Sequence, residues 1–178
     1  MSFLLVLVPL LGSPIAHAPV LRFDLLRSLK RPIDGGTGVL GENKTWRGAL
    51  VMFAGPVVAA LLLRQWPWYW SHLPDEVRDA GPLVLGVLLG LANVIGELPN
   101  SFVKRRLAIP PGQQRRSPAG VLISLDDQVD IVPFVWLFLL PVWTMSVGQF
   151  AIAVGVVLAV HLVINVVGYA IGARETFI

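Results

Sequence analysis

Residues 81–98 read GPLVLGVLLGLANVIGEL, an apolar run broken only by Asn93 and Glu97. A helix needs roughly 20 predominantly apolar residues to cross a bilayer, and this run meets that length. Four further stretches have the same character, at about 2–22, 48–66, 129–147 and 149–173. The whole chain of 178 residues is 55% hydrophobic and 14% charged, with a mean hydropathy of +0.72. Soluble domains are seldom so apolar. The expectation is an all-α integral membrane protein, one domain over residues 1–178 with about five transmembrane helices and no separate soluble domain. The chain lacks cysteine, which excludes a disulfide framework, a thiolate metal site and a cysteine nucleophile.

The first stretch contains Ala16-His17-Ala18, a pattern like a signal-peptidase site. A signal peptide normally starts with positive charge, and no Lys or Arg precedes this run. The segment is therefore expected to stay as a membrane helix. Lysine and arginine set the orientation. All but Arg64 and Arg78 fall in the loop after stretch one, the loop after stretch three, or the tail. This predicts the N-terminus outside, the C-terminus inside, and two cytoplasmic loops at about 23–47 and 100–126. The net charge of +3 then reflects a polarised membrane protein and not a nucleic-acid-binding surface. The cluster WPWYW at 66–70 fits an aromatic belt at the outer interface. Pro9, Pro14, Pro56, Pro133 and Pro141 fall within spans, where helices bear them if neighbouring groups satisfy the freed backbone.

The polar residues gather on the cytoplasmic side. Glu97 ends the third run, Asp127 and Asp130 open the fourth, and SFVKRRLAIPPGQQRR (101–116) lies between them. Acids at a membrane edge are functional candidates. Asp127 and Asp130 are spaced i, i+3 and would share a helix face. Helix capping explains one or two of these acids; Mg²⁺ binding, which takes one or two carboxylates and completes its shell with water and phosphate, explains the set. On a continuous helix Asn93, Glu97, Ser101 and Lys104 or Arg105 would line one face. Glu97 then either pairs with Lys104 or Arg105, or binds metal while those cations hold phosphate oxygens. Asn43 or Thr45 is expected to cap the second span, with Lys44 adding a point charge. His161, Asn165 and Tyr169 form a polar stripe on the fifth span, read as interhelical hydrogen bonding.

Four segments together are similar to one family. GENKTWRG (41–48), GELPNSFVKRRL (96–107), LDDQVD (125–130) and HLVINVVGYAIGARE (161–175) resemble the archaeal CDP-archaeol synthase family in order and spacing, from about Pro19 onward. More distantly, the K-T-W, S-x-x-K-R and D-x-x-D motifs resemble phosphatidate cytidylyltransferases. The resemblance implies a nucleotidyltransferase of phospholipid biosynthesis. It would join CTP to a lipid phosphate, family-implied as an archaeol-type 2,3-bis-O-geranylgeranylglycerol 1-phosphate, and release pyrophosphate with Mg²⁺ as cofactor. By motif, Lys44, Thr45, Arg47, Ser101 and Lys104 would belong to the nucleotide pocket. Lys104, Arg105 and Asp127 would carry catalysis, and Glu97, Asp127 and Asp130 would hold metal. Glu97 stands where the family pattern has Asp. The implied partners are CTP, a lipid phosphate and the bilayer, with self-association left open. The implied location is the cell membrane, with the site facing the cytoplasm. A phosphatidate cytidylyltransferase is the near alternative, and a transporter or lipid-binding protein on the same fold the distant one.

Overall fold

The computed structural model describes residues 2–109 and 129–170, and every regular element among them is a helix. In chain order these are α1 (Ser2–Leu5), a 3-10 turn (Val8–Leu11), α2 (Gly12–Arg22), a second 3-10 turn (Arg27–Leu29), α3 (Trp46–Leu63), α4 (Pro67–Ser71), α5 (Asp75–Arg106), α6 (Ile131–Leu139) and α7 (Val147–Ala170). Three stretches are long and apolar enough to cross a membrane: Ser2–Arg22, Trp46–Leu63 and Asp75–Arg106. The protein is thus an all-helical membrane protein. Helix α3 lies between α2 and α5, α6 packs on the far side of α5, and α7 leans on α6. There the Trp136 and Phe150 rings sit 5.2 Å apart.

The fourth apolar stretch is not one helix across 129–147. Pro141 has no N–H and its ring collides with the carbonyl four residues back, so α6 ends after nine residues. Val142 and Trp143 both turn back to the Leu139 carbonyl, at 2.9 and 2.8 Å. The connection to the last helix therefore runs through 140–146. Ser146 and Gln149 then start α7 with a reciprocal capping box: Ser146 N–H donates to Gln149 Oε1 at 2.9 Å, and Gln149 N–H to Ser146 Oγ at 3.2 Å. A nine-residue helix rises only about 13 Å, well short of a bilayer core.

Two other prolines orphan carbonyls that side chains recover. Pro9 cannot donate to Leu5, and the chain passes into the 3-10 turn; the Leu5 carbonyl accepts instead from Tyr69 Oη at 2.9 Å. Tyr69 and Trp70 are consequently buried, and of the aromatic cluster only Trp66 and Trp68 are exposed, as an interfacial belt requires. Pro56 likewise cannot donate to Met52. Both Ser13 Oγ (3.0 Å) and Asn93 Nδ2 (3.1 Å) donate to the Met52 carbonyl, and Asn93 also donates to Ser13 Oγ at 2.6 Å. One carbonyl thereby ties α2, α3 and α5 together. Glycines allow the approach: a Cβ on Gly12 would lie 2.2 Å from Gly55 O, and one on Gly90 2.6 Å from Phe53 O. Close packing of this kind replaces the hydrophobic drive that helices lack in lipid.

Helix α5 breaks at Gly81 (φ 86°, ψ 165°), which separates a charged outer turn, Asp75–Ala80, from the long inner part. From Pro82 to Arg106 the helix is roughly 37 Å long at 1.5 Å per residue, longer than the roughly 30 Å hydrocarbon core. Lys104, Arg105 and Arg106 thus belong to the last helical turn and not to a loop beginning near residue 100. The pairing at Met52 predicts a stability coupling. Ser13→Ala combined with Asn93→Ala should cost about 1–2 kcal/mol in detergent melts. The loss should shrink in a Pro56→Ala background, where residue 56 regains an N–H for Met52. An equal loss in both backgrounds would refute the assignment.

Candidate active site

The polar motifs around Lys44 and Glu97 meet at one end of the α2–α3–α5 bundle. Loop one, between α2 and α3, is folded by its own hydrogen bonds. Asp34 accepts from Gly36 N–H (3.1 Å) and Leu40 N–H (2.9 Å), which holds its carboxyl below the ordinary range. An antiparallel bridge joins Pro32 to Thr45, with Ile33 N–H donating to Lys44 O (2.8 Å) and Trp46 N–H to Arg31 O (3.0 Å). An open cavity of about 470 Å³, lined by Arg31, Pro32 and Trp46 among others, lies in this loop.

Thr45 is the N-cap of α3, accepting from Gly48 N–H at 3.2 Å, as its position in the sequence predicts. The next charged residue, Arg47, is buried and donates to Asp24 Oδ1 at 2.6 Å and to Leu25 O at 3.4 Å. Its guanidinium therefore anchors the start of loop one to the first turn of α3. That hydrogen bond is the main cause that holds the Asp24 carboxyl below its ordinary value, with Lys30 and Arg27 adding to it.

Lys44 reaches across to α5 and pairs with Glu97 Oε2. Sequence spacing pointed to Lys104 or Arg105 as the partner of Glu97, and the fold instead brings one from loop one, 53 residues away in the chain. Arg105 donates to the Ile109 carbonyl and lies against Gly41, where a Cβ would come within 3.0 Å of Nε. The αL geometry of Gly41 (φ +91°) and this contact both demand glycine. Ser101 is buried on α5, two turns beyond Asn93.

Gly96 lets α6 come close: a Cβ there would lie 3.2 Å from Ile131 Cα. Asp130 consequently sits beside α5. It occupies the N-cap position of α6 without a capping side-chain bond, and its Oδ2 accepts from Asn100 Nδ2 at 3.3 Å. Asn100 follows Glu97 by three residues, so this contact brings Asp130 to α5 about one helical turn along from Glu97. Asp127, like Arg115 and Arg116, lies outside the described residues, as do the side chains of Asn165 and Tyr169. Among the described residues no three of His, Asp and Glu form a metal-ligating group. Sequence spacing did not single out Asn100 or Asp24, since each acquires its partner through tertiary contact.

A family model described as CarS-like, CDP-archaeol synthase, matches residues 28–178. The chain belongs to the CDP-archaeol synthase family. The CDP-archaeol synthase of Thermococcus gammatolerans is 34% identical over 152 residues, which cover 82% of this chain and 81% of that one. That of Methanoculleus marisnigri is 33% identical over 159 residues, covering 83% and 86%. That of Halobacterium salinarum is 31% identical over 153 residues, covering 82% of each. No solved structure matches the chain. The family match includes Lys44, Glu97, Lys104, Arg105 and Asp130, whereas Asp24 and α2 lie before it.

Because the Asp24 carboxyl is depressed when folded, its pairing with Arg47 contributes fully above the ordinary value of 3.8 and fades as pH falls below it. Amide-exchange protection of residues 25–47 should therefore drop between pH 5 and pH 3 relative to that of α5. Asp24→Asn should show the reduced protection already at pH 7, and unchanged protection would remove Arg47–Asp24 as the anchor.

Proposed function

We propose that this protein is a CTP-dependent cytidylyltransferase that converts an archaeol-type lipid phosphate into its CDP-activated form. The observation that carries this reading is the convergence of Lys44 from loop one, Glu97 from α5 and Asp130 from α6 at one end of the bundle, in a chain of the CDP-archaeol synthase family. In the reaction an oxygen of the lipid phosphate attacks the α-phosphorus of CTP. A new P–O bond forms as the bond to the β-phosphate breaks, and pyrophosphate leaves with the electron pair. The nucleophile is already an anion, so charge neutralisation and alignment matter more than a strong base.

Lys44 and the cations of the last α5 turn, Lys104 and Arg105, provide the positive field for the phosphates. Thr45 and Arg47 hold loop one and the start of α3 in place, a supporting role next to the nucleotide. Ser101, buried on the same helix, would complete the nucleotide side of the pocket. Glu97 and Asp130 offer hard oxygen donors, and Mg²⁺ needs only one or two such carboxylates. Asn100 Nδ2 donates to Asp130 Oδ2 and orients that carboxylate beside α5. With Asp127 these two carboxylates would hold Mg²⁺, which neutralises triphosphate charge when bound. A Glu97 carboxylate given to the metal would release Lys44 to hold phosphate.

The distribution of Lys and Arg supports an N-terminus outside, with loop one, loop two and the C-terminus in the cytoplasm. CTP would then reach the site from the cytoplasm, while the lipid arrives sideways from the bilayer. Five crossings would require the α6 segment and α7 to complete the set, and the break at Pro141 makes the fourth crossing irregular.

Purified protein incubated with labelled CTP, Mg²⁺ and the bis-geranylgeranyl ether phosphate should transfer label to lipid. Phosphatidate in parallel tests the ester alternative, and no labelled lipid from either substrate would refute the reading. Asp127→Asn should lower turnover by about two orders of magnitude or more without lowering the melting temperature. Glu97→Asp, which keeps the carboxylate, should retain Mg²⁺-dependent turnover, whereas Glu97→Gln should lose it.

A further inference from the structure

Helix α2 precedes the residues matched by the family model, yet it forms one wall of the site. Its rotation about its own axis is set by two contacts: Gly12 touches Gly55 of α3, and Ser13 bonds the Met52 carbonyl. One helical turn later, His17 falls on the same face as Ser13. Its imidazole is half-buried, and Cε1 would lie 4.0 Å from a Cβ on Gly48 in the first turn of α3. The ring is within electrostatic range of Glu97, Arg47 and Lys44. Along its own stripe of α2 the surface is apolar and accessible: Leu21, one turn beyond His17, is 55% exposed, and Pro14, one turn before it, is exposed as well. His17 therefore stands where a bilayer-facing wall meets the charged site, on the side from which a lipid, and not a nucleotide, would approach.

We propose that His17 contacts the phosphate of the lipid substrate and thereby orients the attacking oxygen, an inference that rests on the cytidylyltransferase reading above. An imidazole N–H is a suitable donor to a phosphate oxygen, and one such charge-assisted bond has a measurable effect on binding. Neighbouring Ser13 is committed to the Met52 carbonyl and does not compete for the role.

The test separates the two substrates. With CTP saturating, His17→Ala should raise the KM for the bis-geranylgeranyl ether phosphate about tenfold, while the KM for CTP stays within about twofold. His17→Asn, which retains an N–H donor, should recover most of the loss. A second measurement needs no turnover: wild type and His17→Ala in detergent are titrated with the same ether phosphate in the absence of CTP, and the variant should bind about tenfold more weakly. Failure of wild type to turn over would refute the cytidylyltransferase reading, while the binding titration would still decide His17. Equal binding by both proteins would overturn the proposal. So would an equal rise in both KM values together with a lower melting temperature, because that pattern belongs to a residue that only packs.

Discussion

The carbonyl of Met52 is the point on which the bundle depends. Pro56 deprives it of its helical donor, and an unpaired carbonyl in the hydrocarbon region costs several kcal/mol by general estimates. Ser13 from α2 and Asn93 from α5 both donate to it, so the defect in α3 becomes the junction of three helices. The same logic recurs at Leu5, whose carbonyl Pro9 leaves open and Tyr69 closes. Prolines in these spans therefore act as attachment points, each creating an acceptor that only tertiary structure can fill.

This junction lies one helical turn inside the charged site, and the two are mechanically linked. Asn93 and Glu97 are successive turns of α5 on one face. Once Asn93 fixes the rotation of α5, Glu97 points at loop one, and Lys44 can meet it. The glycines at 12, 55, 90 and 96 bring backbones close enough for these short polar side chains to reach one another. Arg47 and Asp24 do the equivalent for the other end of loop one. The candidate groups of the site are thus few and charged, and the residues that fix the rotation of α5 are small or uncharged.

The site is also divided by solvent. Loop one and the last turn of α5 carry the cations suited to a nucleotide in water. The outward faces of α2 and α3 are apolar and exposed. A reaction that joins a water-soluble triphosphate to a bilayer phosphate requires such a boundary. The pair of Lys44 and Glu97 sits on it, partly exposed, in a state where each charge neutralises the other.

Much of this was legible in the chain itself. Long apolar runs determined a helical membrane protein because a helix satisfies its backbone within one continuous apolar segment, whereas the strands of a barrel alternate apolar and polar residues. The motifs around Lys44, Glu97, Lys104 and Asp130 determined the family, since their order and spacing survive in sequence. The N-cap role of Thr45 was equally readable, because capping is a local event. Tertiary structure alone decided who meets whom. It gave Glu97 to Lys44 and not to its neighbours on α5, set Asp130 beside Asn100, committed Arg47 to Asp24, and set His17 of α2 against Gly48 of α3. It also ended α6 at Leu139, where sequence periodicity ran on through Pro141. In each case the reason is the same: hydropathy and spacing report one segment at a time, whereas the rotation of a helix is set by the donor and acceptor that another helix supplies.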